Sequence, residues 1–205
     1  IIDTNNPNKD EYPLVNPWVP RIVGVRVGDW AKYSVESTGH PPGWEQADIA
    51  NAEWIKNTVQ SVSGTTLTIE SLWHFKNGTE RTMTGTVDVV TSGYPVPHNM
   101  SVWFISKGLN SGATVYATYP FEHFPGCLKI NETISREYVY VGRETNHANT
   151  TTEWGLYAEF YWDRETGVLC EAKEAFSDWS FRFNLIATNL WGTPLPVHNV
   201  NTGLG

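Results

Sequence analysis

Residues 66–75 alternate with a period of two. Leu67, Ile69, Trp73 and Phe75 hold one parity, and Thr66, Thr68, Glu70 and His74 hold the other, with Leu72 as the exception. Successive side chains of a strand point to opposite faces, so this alternation predicts a half-buried β-strand. Before it lies a second apolar run, Ile55 to Val62, closed by Ser63-Gly64-Thr65. After it come Lys76-Asn77-Gly78-Thr79 and a third run with Met83, Gly85, Val87 and Val89 on one parity. Asn-Gly between alternating runs is a strong hairpin signal, because both residues tolerate positive φ. Trp54 to Val90 therefore reads as a three-stranded antiparallel meander.

The same pattern extends along the chain. Val23–Val27 and Trp30–Glu36 read as strands around Gly28-Asp29, followed by a loop over 37–53 with a helical turn at Gln46–Ala52. Ser101–Ser106 and Ala113–Tyr119 read as two further strands. Ile130–Val141 reads as one strand covered on both faces, and 142–150 as a polar connection. Trp154, Leu156, Ala158, Phe160 and Trp162 share one parity before the turn Asp163–Gly167, after which Val168–Phe176 returns. Phe181, Phe183, Leu185 and Ala187 mark the inner face of a last strand within Trp179–Trp191. About ten short strands with turns at close intervals predict an all-β fold, an antiparallel sandwich or half-open barrel.

The ends differ from this body. Residues 1–22 carry Pro7, Pro13, Pro17 and Pro20, which prevent a helix, yet Tyr12, Leu14, Val15, Trp18, Val19 and Ile22 are too apolar for a free tail. Such a segment either wraps over its own domain or docks on another copy. The division is thus an extended N-terminal segment over 1–22, a β-domain over 23–191 and a C-terminal tail over 192–205.

Charge narrows the partners. Lys and Arg together number 14 against 22 Asp and Glu, a net charge of −8. No basic stripe exists to follow a phosphate backbone, which excludes nucleic acid as the expected partner. No apolar run approaches the ~18 residues that would suggest a transmembrane helix. Isoleucine as first residue fits a processed, secreted chain. Sequons at Asn77, Asn99, Asn131 and Asn149 all fall at predicted turns or strand ends, the places where N-linked glycans are expected. Cys127 and Cys170 are the only cysteines. In a secreted chain they would form a disulfide worth about 4 kcal/mol; otherwise they are two buried thiols that never meet.

Catalytic chemistry finds little purchase. No Gly-x-Ser-x-Gly elbow occurs, and neither cysteine has a histidine nearby. The six histidines show no metal-ligand spacing; Glu122-His123 and Glu144 with His147 could act only through folding. Glu153, Glu159, Asp163 and Glu171 near Trp154 and Trp162 would be the carboxylates of a glycosidase, but an aromatic strand with a solvated face looks the same. The expectation is no catalytic residue, no metal and no cofactor beyond glycans.

Several stretches resemble an uncharacterised family of secreted archaeal β-proteins: Val25–Tyr33, Val59–Gly64, Lys76–Glu80, Ile130–Thr133, Tyr161–Cys170 and Thr188–Trp191. The resemblance spans roughly residues 23–191 and implies an extracellular or cell-surface location without assigning any reaction. More loosely, the architecture resembles subunits of archaeal threads and bundling pili, which assemble by donor-strand complementation. That resemblance implies a homopolymer in which Tyr12, Leu14, Val15, Trp18, Val19 and Ile22 enter a neighbouring subunit, with Leu195-Pro196-Val197 as the second candidate donor. The alternative is a secreted or cell-surface module that binds carbohydrate, such as cell-surface glycans, or lipid without polymerising.

Overall fold

The structure, a computed structural model, describes residues 20–39, 47–91, 101–116, 128–152 and 155–192. The meander forms as its turns require. Strand β2 (Ala52–Ser63) pairs with β3 (Thr66–Phe75) across a two-residue turn, with Gly64 at φ 59°. β3 then pairs with β4 (Glu80–Asp88) in unbroken register from Thr66↔Asp88 to His74↔Glu80. Between them Gly78 takes φ 82°, and Asn77 Oδ1 accepts from the Thr79 backbone N–H at 3.0 Å.

Among the described residues nine antiparallel strands make one open sheet in the order β4-β3-β2-β1-β9-β8-β7-β6-β5. Besides the meander these are β1 (Trp30–Thr38), β5 (Glu132–Tyr138), β6 (Val141–Thr151), β7 (Tyr157–Asp163), β8 (Leu169–Ala175) and β9 (Ser180–Thr188). The expected all-β antiparallel class holds, as one nine-stranded sheet. Two local meanders, β1 to β4 and β5 to β9, meet where β1 pairs with β9 from Ala31↔Thr188 to Thr38↔Ser180. A short helix α1 (Ala47–Asn51) precedes β2.

One face of the sheet is apolar. Tyr33, Ile55, Leu67, Ile69, Trp73, Val87, Phe160 and Trp162 are all buried there. Covering it is the segment 101–116, where Trp103, Phe104, Ile105, Leu109 and Val115 are buried. Trp103 packs on Tyr33 and Phe183 at 4.5 and 5.0 Å between ring centroids. Trp162 Nε1 donates to the Val102 carbonyl at 2.7 Å. A Cβ on Gly167, at φ 74°, would meet the Ile105 carbonyl oxygen at 2.1 Å, so only glycine lets this cover approach the β7–β8 turn.

Five expectations are corrected. Ser101–Ser106 and Ala113–Tyr119 do not form ladder strands in their described parts: Ser101–Trp103 is a 3₁₀ turn, and only isolated bridges, Phe104↔Val168 and Thr114↔Lys129, follow. Their hydrophobic residues cover the sheet instead of extending it. Val23–Val27 joins no ladder; it passes so close to the β7–β8 turn that a Cβ on Gly24 would clash with the Thr166 backbone. Ile130–Val141 is broken at Val139 and Tyr140, whose φ values of 51° and 65° make the tip of a hairpin. The polar connection over 142–150 is accordingly strand β6, which had no apolar alternation to announce it.

Candidate functional site

The opposite face of the sheet gathers the chemistry. Register aligns one residue from every strand in a single row: Glu80, His74, Trp54, Ser34, Asn184, Glu171, Tyr161, His147 and Glu132. Each end of the row carries the same three-part device. On the β5 side, His147 stacks on Tyr161 with centroids 4.5 Å apart, and its Nδ1 lies 3.1 Å from Glu132. Its Nε2 lies 3.1 Å from Glu159. On the β4 side, His74 stacks on Trp54 at 4.8 Å and its Nδ1 lies 3.1 Å from Glu80, with Glu53 at 3.7 Å from Nε2. Each imidazole is thus flanked by a carboxylate at both ring nitrogens.

The carboxylates expected for glycoside hydrolysis are engaged in ion pairs and hydrogen bonds. Glu171 lies between Arg136 at 3.1 Å and Arg182 at 2.6 Å. Asp163 receives Arg143 on both oxygens, at 2.7 and 3.1 Å, and caps the Thr166 N–H. Burial pushes the Glu159 carboxyl up, but hydrogen bonds from Tyr161 and His147 outweigh it and hold the group below its ordinary value. The Tyr161 hydroxyl is pushed up to about 12, by burial first and then by its bond to Glu159. Each of these three carboxylates is thus engaged by side chains of the fold itself. Glu153 and Trp154 lie outside the described residues.

The centre of this face differs from its ends. Lys32 and Lys56 stand directly opposite each other on β1 and β2, both half-buried. Lys32 Nζ lies 3.7 Å from the Trp54 ring centroid, and Lys56 Nζ lies 4.5 Å from that of Trp30. Among the described residues no carboxylate comes within 4.0 Å of either ammonium, whereas Arg26, Arg81, Arg136, Arg143, Arg164 and Arg182 each hold one. The chain carries a signal for this quartet: Trp30-Ala-Lys32 and Trp54-Ile-Lys56 repeat one spacing. Spacing alone does not reveal that the two meet.

The remaining expected sites fall as follows. Asn77 sits at the exposed β3–β4 turn, where its Oδ1 also accepts from Thr79 Oγ1 at 2.7 Å. Asn131 and Asn149 are exposed neighbours, Asn131 Nδ2 donating to Asn149 Oδ1 at 3.1 Å. Cys170 is a free, fully buried thiol, pushed up by burial. Asn99 and Cys127, and the expected 127–170 bridge with it, lie outside the described residues. So do Tyr12, Leu14, Val15, Trp18, Val19, the Leu195–Val197 tail and the Glu122-His123 pair. Ile22 is described: its N–H donates to Ser106 Oγ at 2.7 Å and its carbonyl accepts from Lys107 N–H at 2.9 Å, while its side chain is 46% exposed. Glu144 pairs with Arg164 at 2.8 Å and does not join His147, three positions along the same strand and so on its other face. Among the described residues no group of three or more His, Cys, Asp or Glu could hold a metal ion, and no helix is long and apolar enough to cross a membrane.

No protein-family model matches the chain, and no curated protein matches it.

Proposed function

We propose that this chain is a structural, non-enzymatic subunit of an extracellular filament of the archaeal thread type, joined head-to-tail through its N-terminal segment. The observation that carries the reading is strand β4. It ends the sheet, runs nine residues without a bulge, and among the described residues nothing pairs with its outer side. Its centre, Thr82-Met-Thr-Gly-Thr-Val87, has no charge and no proline. Edges of that kind invite another strand, and natural domains usually blunt them with lysine, proline or a bulge. An extended segment added there satisfies the free main-chain groups and places alternate side chains over the inner face.

The chain's own N-terminal side supplies the segment. Ile22 is held by Ser106 and Lys107, and Arg21 donates to the Val115 carbonyl at 3.1 Å and to Thr114 Oγ1 at 3.0 Å. Residues 12–19 precede this anchor, and in this reading they are the part of the segment that enters the neighbouring subunit. The anchor binds the segments that cover the core, and the acceptor is a sheet edge. Donor and acceptor are therefore different surfaces, and repetition of such a contact gives an open filament. The glycans expected at Asn77, Asn131 and Asn149 would lie on exposed turns and strand ends.

Negative-stain electron microscopy of native material tests the proposal, with uniform filaments expected. Deleting residues 1–19 should leave a domain of unchanged circular dichroism that sediments as single subunits. Filaments that persist after the deletion, or native material that shows only isolated particles at high concentration, would reject it.

A further inference from the structure

We infer that the outer face of β1 and β2 binds a carboxylate-bearing polysaccharide through Lys32 and Lys56. Two like charges directly opposite on paired strands repel each other, and half-burial weakens the screening that water supplies. Here the cost is offset within the fold by the two indoles, one beneath each ammonium. The arrangement has local two-fold symmetry, since each tryptophan precedes its lysine by two positions on antiparallel strands. Each ammonium reaches over the indole of the neighbouring strand, on opposite sides of the Lys32–Lys56 pair, and no carboxylate of the described chain lies within 4.0 Å of either. The same face carries Glu70, opposite Thr58 and diagonal to Lys56, and Glu36, which accepts from Asn184 Nδ2 at 3.4 Å; neither forms an ion pair with the lysines.

The ligand class follows from what is left open. β1 and β3 flank β2, so Trp54 meets Lys32 on one ring face and His74 on the other, and neither face is free to stack on a neutral sugar. What the site offers is positive charge bordered by Ser34, Thr58 and Asn184, hydroxyl and amide groups suited to sugar hydroxyls. A linear polyuronate presents both carboxylates and hydroxyls along an extended chain that a sheet face can follow. This inference does not depend on polymerisation.

Oligogalacturonate, titrated into the full chain at low salt and followed by calorimetry and tryptophan fluorescence, tests it. Maltoheptaose and inorganic sulfate serve as the neutral and the bare-anion probes. Binding of oligogalacturonate alone is expected, weakening as salt is raised and weakening at least about tenfold in the Lys32→Gln/Lys56→Gln variant. The Lys32→Arg/Lys56→Arg variant should retain it, and equal melting temperatures would show that both variants fold. The inference is overturned by absence of binding to the native chain, by equal binding to the glutamine variant, or by equal affinity for maltoheptaose or for sulfate. Self-association that the glutamine variant abolishes would assign the face to a second copy and overturn it as well.

Discussion

Glu174 sits on the core side of β8, opposite Ala158 and Phe181, both buried. Burial raises its carboxyl from 4.5 to about 7. Between those values the folded chain binds a proton that the unfolded chain has released, so stability falls as pH rises through the window. Glu174→Gln should remove this slope and make the protein more stable than the native chain at pH 8 by about 1–2 kcal/mol, allowing for partial contact with solvent. Thermal melts at pH 5 and pH 8 measure both effects; a native chain equally stable at the two values would contradict the assignment. Tyr140 presents the opposite case. It is 85% exposed, yet it holds φ 65° beside Val139 at 51°. Non-glycine residues in this region are strained, and Val139 is kept there by packing against the core. Tyr140→Gly loses little contact and should raise stability by about 0.5–1 kcal/mol in urea denaturation.

Among the described strands, β4 and β5 are the two that end the sheet. They are not equivalent as edges. β5 carries Glu132, Arg136 and Glu137 along seven residues, whereas the charges of β4, Glu80, Arg81 and Asp88, cluster at its ends. A charge placed mid-edge opposes the addition of a strand without touching the core. Thr84 shares the outward parity of Thr82 and Thr86, and its neighbour on β3 is Glu70. Thr84→Lys should therefore leave stability within about 0.5 kcal/mol and abolish filaments. Sedimentation beside a thermal melt separates these results, and filaments of undiminished length would remove β4 as the acceptor. The other elements show what makes a strand legible in a sequence. β3, β7 and β9 were legible because Leu67 and Ile69, Phe160 and Trp162, and Phe181 and Leu185 alternate against polar partners. β6 was not, because Arg143, Thr145, His147 and Asn149 alternate mostly with polar residues too. Its inward-facing Asn146 is satisfied by Thr133 and the Leu109 carbonyl, contacts that no local pattern announces.

For the molecule as a whole, the decisive contact is β1 with β9, which joins strands about 150 residues apart and merges two meanders into one sheet. It also places Asn184 beside Ser34 and so completes the row that runs from Glu80 to Glu132. The Trp-x-Lys repeat shows the same division on a smaller scale. Both copies are plain in the chain, but their meeting depends on the register Lys32↔Lys56, set by the pairing of the whole strands. What the sequence determined by itself is local: which residues turn inward along a strand, and where Gly64 and Asn77-Gly78 reverse the chain. Those outcomes depend on side-chain periodicity and on φ preferences of single residues, which neighbours only a few positions apart decide. Strand order, the row across the outer face, the paired lysines and the two different edges were decided by tertiary structure. Each depends on which distant strands share hydrogen bonds, and a shift of one residue would have sent every one of those side chains to the other face.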